Sequence, residues 1–201
     1  MAPELGILLA DPSLVGVAVE LVRASGAPIE AVLFLMDEGV HASEDARVRA
    51  LLDGGTDVTL CAMDAEARGL HATDGGVRFG SQYDHAVMVR DAQRIIALTG
   101  TRIDDHSPTR SEGRTVAVRV TRDSRHPKTA QALRSAVGYA ACDLKVVVLV
   151  EPLARGLLSH DDHPGAVQRA LTTLRGLGLP LVGTAPNARP PSVNMDLEVT
   201  W

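Results

Sequence analysis

The sequence predicts an α/β protein built from two tandem three-layer α/β/α domains with mostly parallel sheets. Short apolar runs alternate with amphipathic segments across short loops, which is the pattern of parallel sheets covered by helices on both faces. The same alternation begins again after a polar stretch near residue 100. The 201 residues, of which 45% are hydrophobic, suffice for two small cores built mainly from alanine, valine and leucine.

Strands in the first half are predicted from continuous apolar or β-branched runs, which suit strands buried on both faces. Helices are predicted where a capping residue precedes helix-forming residues, and Ser13, Ser43 and Ser81 are the expected N-caps. The predicted strands are residues 5–10, 31–36, 58–61 and 94–98. The predicted helices are residues 14–24, 43–53, 65–67 and 82–91.

Residues 100–114 are polar and rich in turn formers, so we predict a linker at 101–113. It separates a first domain, residues 1–100, from a second domain, residues 114–201. The second domain repeats the alternation of the first. Its predicted strands are residues 116–120, 144–150, 179–182 and 197–200, and its predicted helices are residues 129–141 and 164–175.

An acidic residue follows the second strand in both halves, Asp37 in the first and Glu151 in the second. Counting onward from this pair aligns Cys61 with Val182. The recurrence of the same order of elements in the second half favours a tandem duplication. We expect the second copy to be degenerate, because Val182 cannot carry out the chemistry of a thiol. The alternative is that any two α/β domains share such a pattern.

Charge and composition exclude several classes of function. The net charge of −5 and a total of five aromatic residues give no basis for direct nucleic-acid binding. No apolar run reaches membrane-spanning length, and the N-terminus has no basic region before an apolar segment. With two cysteines and no export signal, we expect a cytoplasmic protein with reduced thiols and no membrane partner.

Cys61 stands where the third predicted strand ends and a short helix begins. Ligands bind at the carboxyl ends of strands in open α/β sheets, and the N–H groups of a helix start stabilise a thiolate. Cys61 is therefore the candidate catalytic residue. The alternative is an inert buried thiol, since free cysteine is often buried. Cys142, between an alanine-rich helix and a strand, is expected to be a core or boundary residue.

Several segments of the first half form one further pattern. They are residues 33–40 (Leu-Phe-Leu-Met-Asp-Glu-Gly-Val), Gly55 through Cys61, the pair Arg68-Gly69 and the pair Gly80-Ser81. In these segments residues 5–100 resemble the DsrE/DsrF-like family of small α/β sulfur-relay proteins. The second half resembles the same family more weakly, through its opening strand, its first helix and its second strand.

This resemblance implies that Cys61 carries sulfur as a persulfide, with a protein sulfur donor and a protein acceptor. It also implies homo-oligomers built from such domains and no metal or organic cofactor. Some family members have a second cysteine three residues after the first. Here that position is Asp64, so a resolving thiol is not available there.

Six further residues are candidate binding residues, each with a simpler alternative. Arg68 could neutralise an anionic sulfur intermediate or a partner carboxylate, but it could equally be a solvated charge at the end of a helix. The acidic residues follow strands at the same sheet edge as Cys61, but they also suit turns and caps, as does the serine. The six are Arg68, Gly69, Asp11, Asp37, Glu38 and Ser81.

The run His160-Asp161-Asp162-His163 contains four metal-ligand types. Metal sites usually gather ligands from separate elements, and Pro164 indicates that this run precedes a helix, so we predict no metal site. The first functional hypothesis is a cytoplasmic sulfur-relay protein acting through Cys61. The alternative is a non-catalytic binding or assembly module, motivated by the acidic neighbours of Cys61, and a third is an enzyme for a small anionic ligand.

Overall fold

The computed structural model describes residues 3–25, 30–71, 76–99, 103–106, 115–159, 163–184 and 197–200. The chain divides into two units, Met1–Pro108 and Thr109–Trp201. Each unit contains one sheet flanked by helices, and all but one of the strand pairs in the two sheets are parallel. The predicted α/β class with mostly parallel sheets is therefore confirmed.

The first unit contains a six-stranded sheet in the order β4-β3-β2-β1-β5-β6. Its direction of growth reverses between β1 and β5, as expected when right-handed crossovers place helices on both faces. The strands are β1 Leu5–Leu9, β2 Ala31–Leu35, β3 Asp57–Cys61, β4 Arg78–Gly80, β5 Arg94–Leu98 and β6 Ile103–His106. The helices are α1 Val15–Ala24, α2 Ala46–Asp53, α3 Ala62–Ala67 and α4 Gln82–Asp91.

Strand β6 lies inside the predicted linker. It pairs antiparallel with β5, placing His106 opposite Ile95 and Ile103 opposite Leu98. The sequence Ile-Asp-Asp-His has no strand-like run of apolar residues, so pattern alone assigned it to the linker. Strand formation here depends on the neighbouring β5, and residues 103–106 belong to the first sheet.

Two predicted helix caps are wrong, because an aspartate performs the capping in each case. The Asp11 side chain accepts a hydrogen bond from Ser13 N at 2.8 Å and opens a 3₁₀ turn, Pro12–Leu14. The Asp45 side chain accepts from Arg47 N at 2.8 Å and opens α2. The residues before α2 form a 3₁₀ segment, Asp37–Glu44, rather than the start of the predicted helix.

Helices cover both faces of the first sheet. One face carries the main core, in which Ile7, Leu33 and Leu60 pack with the apolar sides of α1 and α2. On the other face, His85 of α4 stacks on Phe34 with ring centroids 4.9 Å apart. Because side chains alternate along a strand, Phe34 shares this second face with its register neighbour on β3 and with Cys61.

The second unit contains a four-stranded parallel sheet in the order β10-β7-β8-β9. Helices α5 and α6 pack against each other, and α5 packs on β7 and β8. The strands are β7 Thr115–Val120, β8 Lys145–Val150, β9 Leu181–Gly183 and β10 Leu197–Thr200. The helices are α5 Pro127–Ala141 and α6 Gly165–Gly176, and a 3₁₀ segment, Pro152–Leu158, follows β8.

The two sheets share a strand order, β3-β2-β1-β5 in the first and β9-β8-β7-β10 in the second. Equivalent hydrogen bonds fix the register, because Met36 N donates to Leu9 O and Glu151 N donates to Val120 O, both at 3.0 Å. Extending this register makes Leu35 equivalent to Val150. Common descent of the two units stays a prediction.

This register corrects the predicted alignment of the two halves. Leu60 pairs with Leu35, whereas Gly183 pairs with Val150, so the next residues, Cys61 and Thr184, are equivalent. Val182 lies two residues earlier in its strand. The position of the thiol is therefore occupied in the second unit by a hydroxyl-bearing threonine.

Candidate functional site

Cys61 is the last residue of β3 and the residue immediately before α3, where the sequence predicts it. Only 2% of the residue is accessible to solvent, so the thiol is buried, as in the alternative given for it, and is not openly exposed. The cause is the layer formed by α4, which covers the face of the sheet on which Cys61 lies. Its neighbour Met36, which directly follows β2, is also buried.

The first residue of α4 contacts the sulfur atom. Gln82 Nε2 donates a hydrogen bond to Cys61 Sγ at 3.7 Å, and the Gln82 residue is half-buried. The strand beside Cys61 approaches closely, because Gly80 is its register partner and a Cβ on Gly80 would overlap Thr59. The thiol therefore lies beneath the Gln82 side chain at the rim of the sheet. Gln82 was not identified from the sequence, where its only signal is its place directly after the capping Ser81.

Ser81 caps α4, which is the simpler of the two roles expected for it from the sequence. Its Oγ accepts from Tyr83 N at 3.2 Å, and Asp84 Oδ2 accepts from Ser81 N at 2.7 Å. Burial favours a higher pKa for Asp84, but the hydrogen bonds from Ser81 and Arg78 outweigh it and lower the pKa. The capping box fixes the start of α4, and with it the backbone that carries Gln82.

Arg68 is held by carboxylates. It forms ion pairs with Asp37 and with Glu38, the latter at 2.8 Å, and its Nη1 donates to Asp64 O at 3.3 Å. Burial opposes its charge, but the hydrogen bond to Glu38 and the charges of Glu38, Asp37 and Asp64 raise the pKa of Arg68. These contacts define the Arg68 cluster, which consists of Arg68, Asp37, Glu38 and Asp64. It contains three of the predicted binding residues and fixes α3 to the loop after β2.

The loop after β2 has a constrained backbone. Asp37 adopts φ 50°, which is unfavourable for a residue other than glycine, and its side chain is only 4% exposed. Two residues later, a Cβ on Gly39 would overlap the carbonyl oxygen of Leu9, and Gly39 N donates to Ala10 O at 2.9 Å. The cluster's geometry therefore depends on close backbone contact with the end of β1.

Gly69 and Asp11 have backbone roles. Gly69 has φ 72° after α3, its N–H donates to Glu66 O at 3.0 Å, and Leu70 N donates to Ala65 O at 2.9 Å. These two bonds form a Schellman motif, which needs the left-handed conformation of glycine. Asp11 accepts from the backbone at a turn, as described above.

Near Gly69 is a cavity of about 240 Å³ that is also lined by Arg49, Leu60 and His71. Since Leu60 precedes Cys61 in β3, its side chain points to the opposite face of the sheet. Cys61 is not among the residues that line the cavity.

His85 was not identified from the sequence. Its side chain lies between α4, to which it belongs, and the sheet, where it is fully buried against Phe34. Burial lowers its pKa to about 3. At neutral pH it is therefore an uncharged packing residue on the same face of the sheet as Cys61. His85 lies one turn into an amphipathic helix, and nothing in the sequence distinguishes it from the other positions on the buried side of that helix.

Within the described parts of the chain, no group of three histidine, cysteine, aspartate or glutamate residues is arranged to hold a metal ion. Of the run of four metal-ligand residue types, for which the sequence predicts no metal site, His160, Asp161 and Asp162 lie outside the described residues. Cys142 is buried at the C-cap of α5, which fits a boundary residue.

In the ranges that the structure describes, no helix has the length and apolar character needed to cross a membrane. Compared with known proteins, the chain matches no protein-family model and no curated protein. The resemblance to the DsrE/DsrF-like family consequently rests on the residues quoted above.

Proposed function

We propose that this is a cytoplasmic sulfur-relay protein in which Cys61 accepts sulfane sulfur from a protein donor and passes it to a protein acceptor. One observation carries the proposal: the thiol lies at the carboxyl end of β3, just under the Gln82 side chain. Ligands of open α/β sheets bind at this edge. The resemblance of residues 5–100 to a sulfur-relay family supports the same chemistry.

Sulfur transfer needs the Cys61 thiolate to attack the outer sulfur of a donor persulfide. The donor's S–S bond breaks as a new S–S bond forms on Cys61, and the donor thiolate takes up the proton that Cys61 lost. No net oxidation occurs, and no cofactor is required. An acceptor thiolate repeats the exchange on the outer sulfur of the Cys61 persulfide.

With 2% of Cys61 exposed, the reaction requires an opened conformation. Displacement of the Gln82 side chain would uncover the sulfur on one side, because its carboxamide contacts Sγ and the residue is half-buried. Ser81 and Asp84 hold the backbone at this point, so rotation of the Gln82 side chain does not require α4 to unwind. We therefore assign Gln82 a gating role.

The experiment incubates the protein with a cysteine desulfurase and cysteine, then maps added sulfur by mass spectrometry. The proposal expects one added sulfur on Cys61, none after Cys61→Ser, and faster labelling after Gln82→Ala. Cys142→Ser is the matched control, because Cys142 is the other buried cysteine. No sulfur on Cys61 in wild type or in Gln82→Ala, with a known carrier labelled in parallel, would reject the proposal.

The second candidate is a non-catalytic binding or assembly module. The burial of Cys61 and the engagement of Arg68 by Asp37 and Glu38 favour it, because an anionic sulfur intermediate would compete with two carboxylates for that cation. Alkylation with a neutral reagent separates the two candidates. A Cys61 that reacts only on global unfolding, in both wild type and Gln82→Ala, favours the module.

A further inference from the structure

Four strand ends of the second sheet each carry a polar side chain. Arg119 on β7 and Thr200 on β10 are register partners, while Glu151 and Thr184 each come one residue after a register pair of β8 and β9. Arg119 Nη1 and Glu151 Oε1 form an ion pair at 3.2 Å, with side chains 5% and 14% exposed. Alternation along the strands places all four on the same face of the sheet.

The fold itself does not require polar residues at these positions. In the first unit, the equivalent of Arg119 is Leu8 and that of Thr200 is Ala97, and both are buried and apolar. The same register makes Met36 the equivalent of Glu151. Removing an ion pair from water is costly, and apolar side chains of similar size are usually at least as stabilising. The second unit therefore keeps a polar cluster where its fold accepts an apolar one.

Two hydroxyls in this strand-end cluster have no hydrogen-bond partner among the described residues. Thr184 Oγ1 and Thr200 Oγ1 are buried, and neither has a partner in the part of the chain that the structure describes. The Thr184 residue is only 7% exposed. Buried hydroxyls are nearly always paired with protein, water or ligand, so these two indicate hydrogen-bonding capacity directed at another molecule.

The cluster also lies at the place where open α/β sheets bind ligands. The order β10-β7-β8-β9 changes direction between β7 and β10, and ligands occupy the crevice at the carboxyl ends of the strands flanking such a reversal. Arg119 and Thr200 are near the carboxyl ends of these two strands and are paired across the reversal.

We infer that Arg119, Glu151, Thr184 and Thr200 form a binding site for a small uncharged molecule rich in hydroxyl or carboxamide groups. The charges of Arg119 and Glu151 compensate each other. An anionic ligand would be repelled by the Glu151 carboxylate and a cationic ligand by the Arg119 guanidinium, so an uncharged ligand is favoured. A threonine hydroxyl both donates and accepts, which suits hydroxyl and carboxamide partners. This site is independent of Cys61 and of sulfur transfer.

The experiment uses the full chain and two pairs of probes that differ in charge, nicotinamide with nicotinate and ribitol with ribonate. Backbone amide resonances are followed by NMR during titration. We expect at least one uncharged probe to shift resonances at the ends of β7 to β10, with at least tenfold weaker binding of its charged counterpart. Thr184→Val and Thr200→Val should each weaken that binding by at least tenfold.

Thr56→Val is the matched control, because Thr56 Oγ1 is another buried hydroxyl without a described partner but lies in the first unit. It should leave binding unchanged. If Thr184→Val does not fold, Thr184→Ser, which keeps the hydroxyl, should bind like wild type. Absence of binding by both uncharged probes overturns the inference and leaves ordered water as the partner of the hydroxyls. Binding that survives both valine variants, or that favours the charged probes, overturns it as well.

Discussion

The backbone N–H of Asp37 donates a hydrogen bond to Asp64 Oδ2 at 2.9 Å, joining the loop after β2 to the helix after β3. Asp64 is three residues beyond Cys61, so this bond fixes α3 relative to the neighbouring strand. A buried N–H that loses its acceptor is costly. Both residues are buried, and the bond is shielded from water.

Asp64→Ala should lower the free energy of unfolding by about 1–3 kcal/mol, because it leaves the Asp37 N–H buried without that acceptor. Asp64→Asn, which keeps one carboxamide oxygen, should cost less. Urea unfolding at neutral pH measures both, with the exposed Glu66→Ala on the same helix as control. Equal stability of Asp64→Ala and Glu66→Ala would contradict this assignment.

Arg68→Ala should destabilise the first unit by about 2–3 kcal/mol, because the buried Asp37 carboxylate loses its cation. Adding Asp37→Asn to this variant should recover part of the loss by removing the unpaired charge. The control is Arg23→Ala, which breaks an exposed ion pair with Glu20 and should cost about 0.5 kcal/mol or less. Chemical denaturation of wild type and these three variants measures both effects.

His85 should make stability depend on pH. Its pKa is about 3 in the folded protein because burial disfavours the imidazolium, against 6.5 when exposed. Below pH 6.5 the unfolded chain binds a proton that the folded chain does not, so stability falls as pH falls from 6.5 toward 3. Between pH 6.5 and 5 this loss amounts to about 2 kcal/mol.

His85→Leu should remove this part of the pH dependence. The measurement is the unfolding free energy of wild type and variant at pH 6.5 and at pH 5. A difference between the two proteins that is the same at both pH values would mean that His85 is not buried in its neutral form.

Gly39→Ala should cost about 3 kcal/mol or more, because the added methyl overlaps the Leu9 carbonyl oxygen and forces the backbone apart. Gly156→Ala is the matched control, since a Cβ there meets open space within a similar 3₁₀ segment. It should be neutral or stabilising by up to about 1 kcal/mol. Thermal melting of both variants compares them directly, and similar melting temperatures would disprove the close contact.

The class of fold and the junction of β3 with α3 could be predicted from the sequence, because both depend on local signals. A β-branched run that ends at Cys61 and a run of strong helix formers specify the junction without help from distant residues. Its burial could not be predicted, because it depends on α4, whose first residue is 21 positions away in the chain.

The errors in register and capping have a common physical cause. Counting along the chain aligned Cys61 with Val182, whereas the hydrogen-bond ladder aligns it with Thr184. Loop lengths differ between the units, and only strand pairing measures position across a sheet. Similarly, Ser43 and Asp45 are equally good N-caps by composition, and the 3₁₀ segment ahead of α2 decides in favour of Asp45.

Each sheet ends on one side in a strand of only three residues, β4 in the first unit and β9 in the second. A strand from another molecule that docked along either edge could form only a few backbone hydrogen bonds. Continuation of the sheet across molecules would therefore be only weakly stabilised there. On those sides, self-association through side-chain surfaces is therefore favoured over a shared ladder.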